Sequence, residues 1–202
     1  MAFNPDVRHR GSIRLKGYDY SRAGAYFITI CAKNRECLFG EIANREMRLN
    51  DAGRMVQTVW DEISKFYSGI DNDIFQIMPN HIHAVIVVGA GPCACPDPHG
   101  RPRQNGQPRG VAPTLSLPDV VHRFKTMTTK RYVDGVKYYD WPMFPGKLWQ
   151  RNYYEHIVRN ENELKQIRKY ILKNPAMWET DLENPIVWEK TKNIGRNGET
   201  MG

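Results

Sequence analysis

The chain has 202 residues, and its 29 Lys and Arg against 22 Asp and Glu give a net charge of +7. This length is typical of one domain with a sizeable core. A hydrophobic fraction of 41% excludes a disordered chain. The basic balance favours a polyanionic partner such as nucleic acid.

No apolar run approaches the roughly 18 residues that a membrane-spanning helix needs. The N-terminal residues lack the apolar stretch of a secretory signal. The 4 cysteines are too few for a disulfide framework in a chain of this length. We therefore expect a cytoplasmic, nucleoid-associated protein with no membrane partner.

Residues 1–24 are polar and basic and predict an extended arm. β-Branched and aromatic residues, helical spacing and turn residues predict the next elements. These are a strand over 25–32, a hairpin of 38–42 with 46–49 around Asn44, a helix capped by Asn50 or Asp51, and strands 73–78 and 81–88 joined by a Pro79-Asn80 turn.

Residues 89–114 are rich in Gly, Pro and Arg and predict a flexible basic loop. Ser116 is an N-cap signature for a second helix, with Pro118 in its first turn. Further on, the pattern predicts a strand over 148–158, a helix over 161–173 capped by Asn160 and ended by Pro175, and a polar tail over 181–202. One domain over 25–180 is therefore expected.

With the hairpin set aside, the predicted order is β-α-β-β-α-β. This order is typical of an α+β, ferredoxin-like antiparallel sheet with helices on one face. A further C-terminal helix, which carries Tyr170, follows the last strand.

His81 and His83 are the first candidates for chemistry. Residues i and i+2 of a strand point to the same face, so both imidazoles project from one side of the sheet. Two adjacent imidazoles are half of a site for a divalent cation. The alternative is a pair of structural histidines. Cys93 and Cys95 could join them in a zinc site, but they lie in the predicted flexible loop and lack the usual two-residue spacer.

Tyr170 and Asn174 have the i, i+4 spacing that places two side chains on one helix face. A separate apolar stripe of Leu164, Ile167 and Ile171 attaches this helix to the sheet. Spacing alone favours a packing role for Tyr170 and a C-terminal capping role for Asn174. The alternative is a tyrosine held at a defined place above the sheet.

Basic and aromatic residues are interleaved after residue 120, as in proteins that bind single strands. For most of these positions a solvated surface or a core aromatic is the competing interpretation. The candidates for DNA contact are Arg123, Lys125, Lys130, Arg131, Lys147, Trp149, Arg151, Tyr153 and Arg159.

Three segments in order resemble the REP-associated tyrosine transposases, which belong to the single-tyrosine HUH transposases of insertion sequences. They are MPNHIHAVIVV, HRFKTMTTKRY and LWQRNYYEHIVRNENELKQIRKYILKNPAMW. The resemblance runs from about Tyr26 to Trp178, and its most specific part is the last segment. The loop over 89–114 has no counterpart in it.

The resemblance implies that His81 and His83 bind Mg²⁺ or Mn²⁺ and that Asn174 completes the metal site. It implies that Tyr170 is the nucleophile that forms a 5′-phosphotyrosine with single-stranded DNA. The implied substrates are hairpin-forming repeat ends, and the implied assembly is a monomer or a homodimer.

Two other functions compete with this one. A histidine-triad nucleotide hydrolase would need a third alternating histidine, but Val85 occupies that position. A domesticated, catalytically silent DNA-hairpin binder would use the same scaffold, yet it would have no need of His81, His83 and Tyr170 together.

Overall fold

A nearly continuous run of apolar residues over 25–31 gives the chain a central strand that is buried on both faces. The computed structural model describes residues 18–90 and 115–197. Its elements are β1 (Gly24–Cys31), β2 (Gly40–Ala43), β3 (Glu46–Leu49), α1 (Asp51–Phe66), β4 (Gly69–Ile77), β5 (His81–Ala90), α2 (Leu117–Tyr138), β6 (Tyr154–Val158), α3 (Glu161–Lys173) and α4 (Pro185–Asn197), with 3-10 turns at Lys33–Arg35 and Pro175–Thr180.

Four strands form one sheet in the order β4-β5-β1-β6, and every neighbouring pair is antiparallel. Strands β2 and β3 form a separate hairpin, turned by Asn44 and Arg45 at positive φ. Without the hairpin, the chain order is β-α-β-β-α-β and β1 lies at the centre of the sheet beside β5. The ferredoxin-like prediction is therefore confirmed.

The two faces of the sheet carry different cores. Ile28 and Ile30 of β1 face the large core, which includes Trp60 of α1 and Phe124 of α2. Phe27, which directly precedes Ile28, faces the opposite side. There it packs with Val85 of β5 and with Ile167 and Ile171 of α3. Thus α1 and α2 cover one face, as predicted, and α3 lies against the other.

Local capping explains where the helices begin. The Asn50 side chain accepts a hydrogen bond of 2.8 Å from the Gly53 N–H, which satisfies a free donor at the start of α1. Ser116 and Asp119 form a capping box at the start of α2. The Asn160 side chain accepts from the Glu163 N–H at 2.9 Å and starts α3. The predicted capping residues are thereby confirmed.

The strand predicted over 148–158 is wrong in its first part, because β6 covers only Tyr154–Val158. The Lys125 ammonium group lies 2.9 to 3.3 Å from the main-chain carbonyl oxygens of Gln150, Arg151 and Asn152. Because these carbonyl oxygens point toward the ammonium group, they cannot accept the backbone hydrogen bonds that would extend the pairing of β6 with β1. Before them, Trp149 pairs with Ala32 in a single isolated bridge.

Both segments that were predicted to be unstructured, the N-terminal arm and the C-terminal tail, contain residues that belong to the fold. Tyr20, within the predicted arm, is buried in the large core against Tyr26. Helix α4 lies within residues 181–202, which the sequence analysis assigned to a polar tail. The Asn184 side chain caps it by accepting from the Ile186 N–H at 3.0 Å, with Pro185 at the first helical position. Residues 1–17, most of the predicted loop and the Cys93/Cys95 pair lie outside the described residues.

Candidate metal centre and tyrosine helix

The two imidazoles of β5 lie side by side on the α3 face of the sheet. The Nε2 atoms of His81 and His83 are 3.0 Å apart, and both side chains are buried. Strand register opposes His81 to Cys31 and His83 to Thr29 of β1. The strand prediction that both rings project from one face is confirmed.

Asn80 determines which nitrogen of His81 carries the proton. Its amide nitrogen donates to two main-chain carbonyls, of Arg35 at 3.0 Å and of Glu183 at 2.7 Å. Its amide oxygen therefore faces Nδ1 of His81, at 2.8 Å, and must accept a proton from it. The lone pair of His81 is then on Nε2, the atom that faces His83.

His83 is held from its other side. Its Nδ1 atom lies 2.8 Å from the hydroxyl oxygen of Thr29 on the neighbouring strand. Fixing the outer nitrogen of a ligating histidine is the usual way in which proteins orient the ring toward a metal.

Both histidines are neutral in the folded protein. Burial lowers the pKa of His81 to about 3, and the nearby positive charge of Arg35 adds to the effect. Burial also lowers the pKa of His83 well below its usual value, with a further contribution from His81. Neutral imidazoles keep the lone pairs that metal coordination requires.

Asp181 is a third candidate ligand, which the sequence analysis did not identify. Its carboxylate lies 3.7 Å from Nε2 of His81. One donor atom from each of His81, His83 and Asp181 lies within 4.8 Å of the other two. Two imidazoles and a carboxylate suit Mn²⁺ and related divalent cations, so this group could hold a metal.

The segment that carries Asp181 is attached to the end of β1 by Glu183. The Glu183 carboxylate pairs with the Arg35 guanidinium at 2.9 Å and accepts from the Cys31 thiol at 3.4 Å. The same guanidinium lies 3.9 Å above the ring of Trp188 in α4. These contacts hold the segment after α3 against the end of β1, where Cys31 is the register partner of His81.

Tyr170 of α3 lies beside the histidine pair. Its ring centroid is 5.3 Å from that of His83 and 6.1 Å from that of Phe27. Ile167 and Ile171 on the inner face of α3 are fully buried against the sheet. Tyr170 is itself half-buried, so the helix holds its phenol next to the candidate metal group.

Asn174 follows one turn after Tyr170 and is buried. Its side-chain oxygen has no hydrogen-bond donor among the described residues. A buried amide oxygen that accepts no hydrogen bond has lost its hydration without compensation, unless a cation or a water molecule lies beside it. An oxygen ligand of a metal, which is the role that the resemblance implies for Asn174, would have an unsatisfied oxygen of this kind.

The nine candidates for DNA contact fall into two groups. Six of them line one groove between α2 and the segment before β6, namely Lys125, Lys130, Lys147, Trp149, Arg151 and Tyr153. The other three lie elsewhere. The Arg123 guanidinium lies over the Tyr67 ring, and Arg131 pairs with Glu62 at 2.6 Å. Arg159 precedes α3, where its backbone N–H donates to the Glu163 carboxylate.

Comparison with known proteins gives a relative at high identity. The chain is 43% identical over 182 residues to an uncharacterized protein of Haemophilus influenzae, with 89% of this chain and 95% of the relative covered. The chain belongs to the family of that protein. No family model matches the sequence.

Among solved structures, the chain is similar to a REP-associated tyrosine transposase bound to a REP hairpin. That likeness covers 84% of this chain and 72% of the other, with a TM-score of 0.47 and 15% identity. It is also similar to a transposase candidate from Deinococcus radiodurans, over 79% of this chain and 95% of the other, with a TM-score of 0.43 and 18% identity. In the described part of this chain, no helix is long and apolar enough to cross a membrane.

Proposed function

We propose that the protein is a transposase that cleaves and rejoins single-stranded DNA through a covalent bond to Tyr170. The observation that carries the proposal is the position of the Tyr170 ring, 5.3 Å from the ring of His83. The residue proposed as the nucleophile thus lies beside His83, one of three side chains that could hold a divalent cation. The motif resemblance and the net charge of +7 agree with a DNA substrate.

His81, His83 and Asp181 would hold Mg²⁺ or Mn²⁺, with Asn174 as a further oxygen donor. When bound there, the cation supplies positive charge beside a non-bridging phosphate oxygen. Asn80 and Thr29 keep both imidazoles oriented toward it. The burial of the histidines excludes water from this side of the site.

Tyr170 would form a bond from its phenolic oxygen to phosphorus while the bond from phosphorus to the 3′ oxygen breaks. The phenol gives up its proton, and the departing 3′ oxygen takes one up. The products are a 5′-phosphotyrosine and a free 3′-hydroxyl. Because the phosphoester is conserved, a 3′-hydroxyl of another strand can reverse the step and join the DNA.

The substrate would be single-stranded, at the foot of a hairpin or repeat end. A phosphate in a regular duplex is held between stacked neighbours and cannot bend into a half-buried site. A flexible strand can place one phosphate between Tyr170 and the histidines.

A labelled hairpin oligonucleotide with a single-stranded flank tests this proposal. We expect wild-type protein with Mn²⁺ to give a covalent adduct that survives denaturing electrophoresis. EDTA and the Tyr170→Phe substitution should both abolish it. Tyr154→Phe is the matched control, because Tyr154 also packs on Phe27, at 5.9 Å.

An adduct that persists in Tyr170→Phe would contradict the assignment and point to Tyr153 or Tyr154. DNA that is bound but never cleaved by wild-type protein would instead support the silent hairpin binder.

A further inference from the structure

A groove that contains neither histidine of the pair runs along α2. We name it the α2 groove: its walls are the face of α2 from Pro118 to Lys130 and the segment over 146–153. Its volume is about 790 Å³. This lies within the range of sites that bind small organic groups.

The charge of the α2 groove is of one sign. Lys125, Lys130, Lys147 and Arg151 line it, and no acidic side chain does so among the described residues. Cations gathered without carboxylates repel one another, and a bound polyanion relieves this repulsion. The groove is therefore complementary to a chain of phosphates.

The four cations do not all have the same role. The Lys125 ammonium group is hydrogen-bonded to the carbonyls of residues 150–152 and so fixes one wall of the groove. Lys130, Lys147 and Arg151 are exposed at the rim. These three side chains can reach a ligand without losing a structural contact that the wall depends on.

The floor of the groove is apolar. Val121 and Leu148 contribute to it, and the half-buried ring of Tyr153 lies at one side. Trp149 is committed to the core, because its indole N–H donates to Thr128 at 2.8 Å. Cations at a rim above an apolar and aromatic floor match a single strand, which has phosphates on one side and unstacked bases on the other.

The groove is also connected to the candidate metal centre. The Gln150 N–H donates to the Cys31 carbonyl at 2.9 Å, and Cys31 is the register partner of His81. Two strand spacings, about 10 Å, therefore separate the groove wall from the strand that carries the histidines.

We propose that the α2 groove binds the single-stranded DNA that flanks the scissile phosphate, with phosphates on Lys130, Lys147 and Arg151 and bases toward Tyr153. This rests on the function proposed above. It adds a second site, on different elements, that selects substrates with an unpaired flank.

The test measures binding in Tyr170→Phe protein, so that cleavage does not interfere. Two probes are used: a DNA hairpin with a ten-nucleotide flank and the same hairpin with a blunt end. The test variant carries Lys130→Ala, Lys147→Ala and Arg151→Ala. The control carries Lys65→Ala, Lys137→Ala and Arg48→Ala, which remove the same charge from exposed positions outside the groove.

We expect the groove variant to bind the flanked hairpin about tenfold or more weakly than the control variant. The slope of its log binding constant against log salt concentration should be less steep by about 2, since each of the three single-strand phosphate contacts contributes about 0.7. Binding of the blunt hairpin should be equal in both variants. Tyr153→Ala should weaken only the flanked probe, and Tyr153→Phe should restore it.

Equal affinity of the two triple variants for the flanked hairpin would overturn the groove assignment while leaving the proposed function intact. So would a loss that is the same with and without the flank. Failure of the Tyr170→Phe protein to bind either hairpin would overturn both.

Discussion

The amide nitrogen of Asn80 donates a hydrogen bond of 2.7 Å to the main-chain carbonyl of Glu183, 103 residues away in the chain. The amide oxygen of the same side chain accepts from His81. One fully buried residue therefore fixes the tautomer of a candidate ligand and holds the segment that brings Asp181 to it. The candidate metal centre and the C-terminal segment are structurally coupled through this residue.

Asn80→Asp is expected to lower Mn²⁺ affinity by roughly 10- to 100-fold, as is usual when the group that orients a ligating histidine is altered. The new oxygen would face the carbonyls of Arg35 and Glu183, which cannot donate to it. We also expect a loss of about 3 kcal/mol in the free energy of unfolding. Calorimetric titration with Mn²⁺ and urea denaturation measure the two effects.

Asn72→Ala is the control for Asn80→Asp. Asn72 donates from a half-buried amide to the Trp60 carbonyl at 2.8 Å, on the α1 side of the sheet. The Asn72→Ala variant should be less stable than the wild type but should bind Mn²⁺ with the same affinity. If both variants bound Mn²⁺ like wild type, Asn80 would have no part in the metal centre.

Asp181→Asn is expected to reduce Mn²⁺ affinity at least tenfold, because a neutral amide replaces the one carboxylate of the group. Glu179→Gln removes an exposed charge two residues earlier and should have no such effect. Electron paramagnetic resonance of free Mn²⁺ during titration measures the difference. An unchanged affinity in Asp181→Asn would point to Asn174 as the third ligand, which Asn174→Ala then tests.

Arg35→Met is expected to loosen the segment over 178–190. The substitution removes the ion pair with Glu183 and the contact with the Trp188 ring. Hydrogen exchange followed by mass spectrometry should show faster exchange there, and Mn²⁺ should slow it again by engaging Asp181. Arg54→Met is the control, because Arg54 pairs with Asp51 on the exposed side of α1. Equal exchange in both variants would show that Arg35 does not hold this segment.

Glu163 gives the stability of the fold a dependence on pH. Burial acts to raise the pKa of its carboxyl, but hydrogen bonds from the Arg159 N–H at 2.7 Å and from His156 at 2.8 Å outweigh burial and lower the pKa. A carboxyl with a lowered pKa stabilises the fold above the pKa of the unfolded chain. This contribution is lost as the pH falls through the folded-state value.

Glu163→Gln is therefore expected to cost about 1 to 2 kcal/mol at pH 7, with the difference from wild type shrinking between pH 5 and pH 3. Urea denaturation across this range measures it. Glu161→Gln, an exposed position in the same helical turn, should show a smaller and flatter difference. A wild-type advantage that did not shrink on acidification would mean that the Glu163 charge is not responsible.

Local patterns were sufficient to predict most of the fold. Asn50, Ser116 and Asn160 are caps that act within their own turn, and the β-branched and aromatic composition of β1 and β5 is itself a local strand signal. The position of both histidines on one face followed from strand geometry alone. The sheet order then followed from the ferredoxin-like arrangement of those elements.

The candidate ligand Asp181 could not be predicted in the same way. Its approach to His81 depends on Glu183, Asn80 and Arg35, which are distant in sequence, and no short pattern encodes such contacts. Helix α4 could have been predicted, because Asn184 followed by Pro185 is an N-terminal capping signature. The late start of the strand predicted over 148–158 depended on a tertiary contact with Lys125.

The two faces of the sheet carry hydrophobic cores of unequal size, and this difference affects how the protein unfolds. Helix α3 is held by a cluster whose buried members, among the described residues, are Phe27, Val85, Ile167 and Ile171. The opposite face has a far larger cluster. Cooperative units with less buried apolar surface separate at lower free energy than the whole domain. We therefore expect the helix of Tyr170 to separate at a lower free energy than the sheet that carries the histidines, so that the two halves of the site would differ in stability.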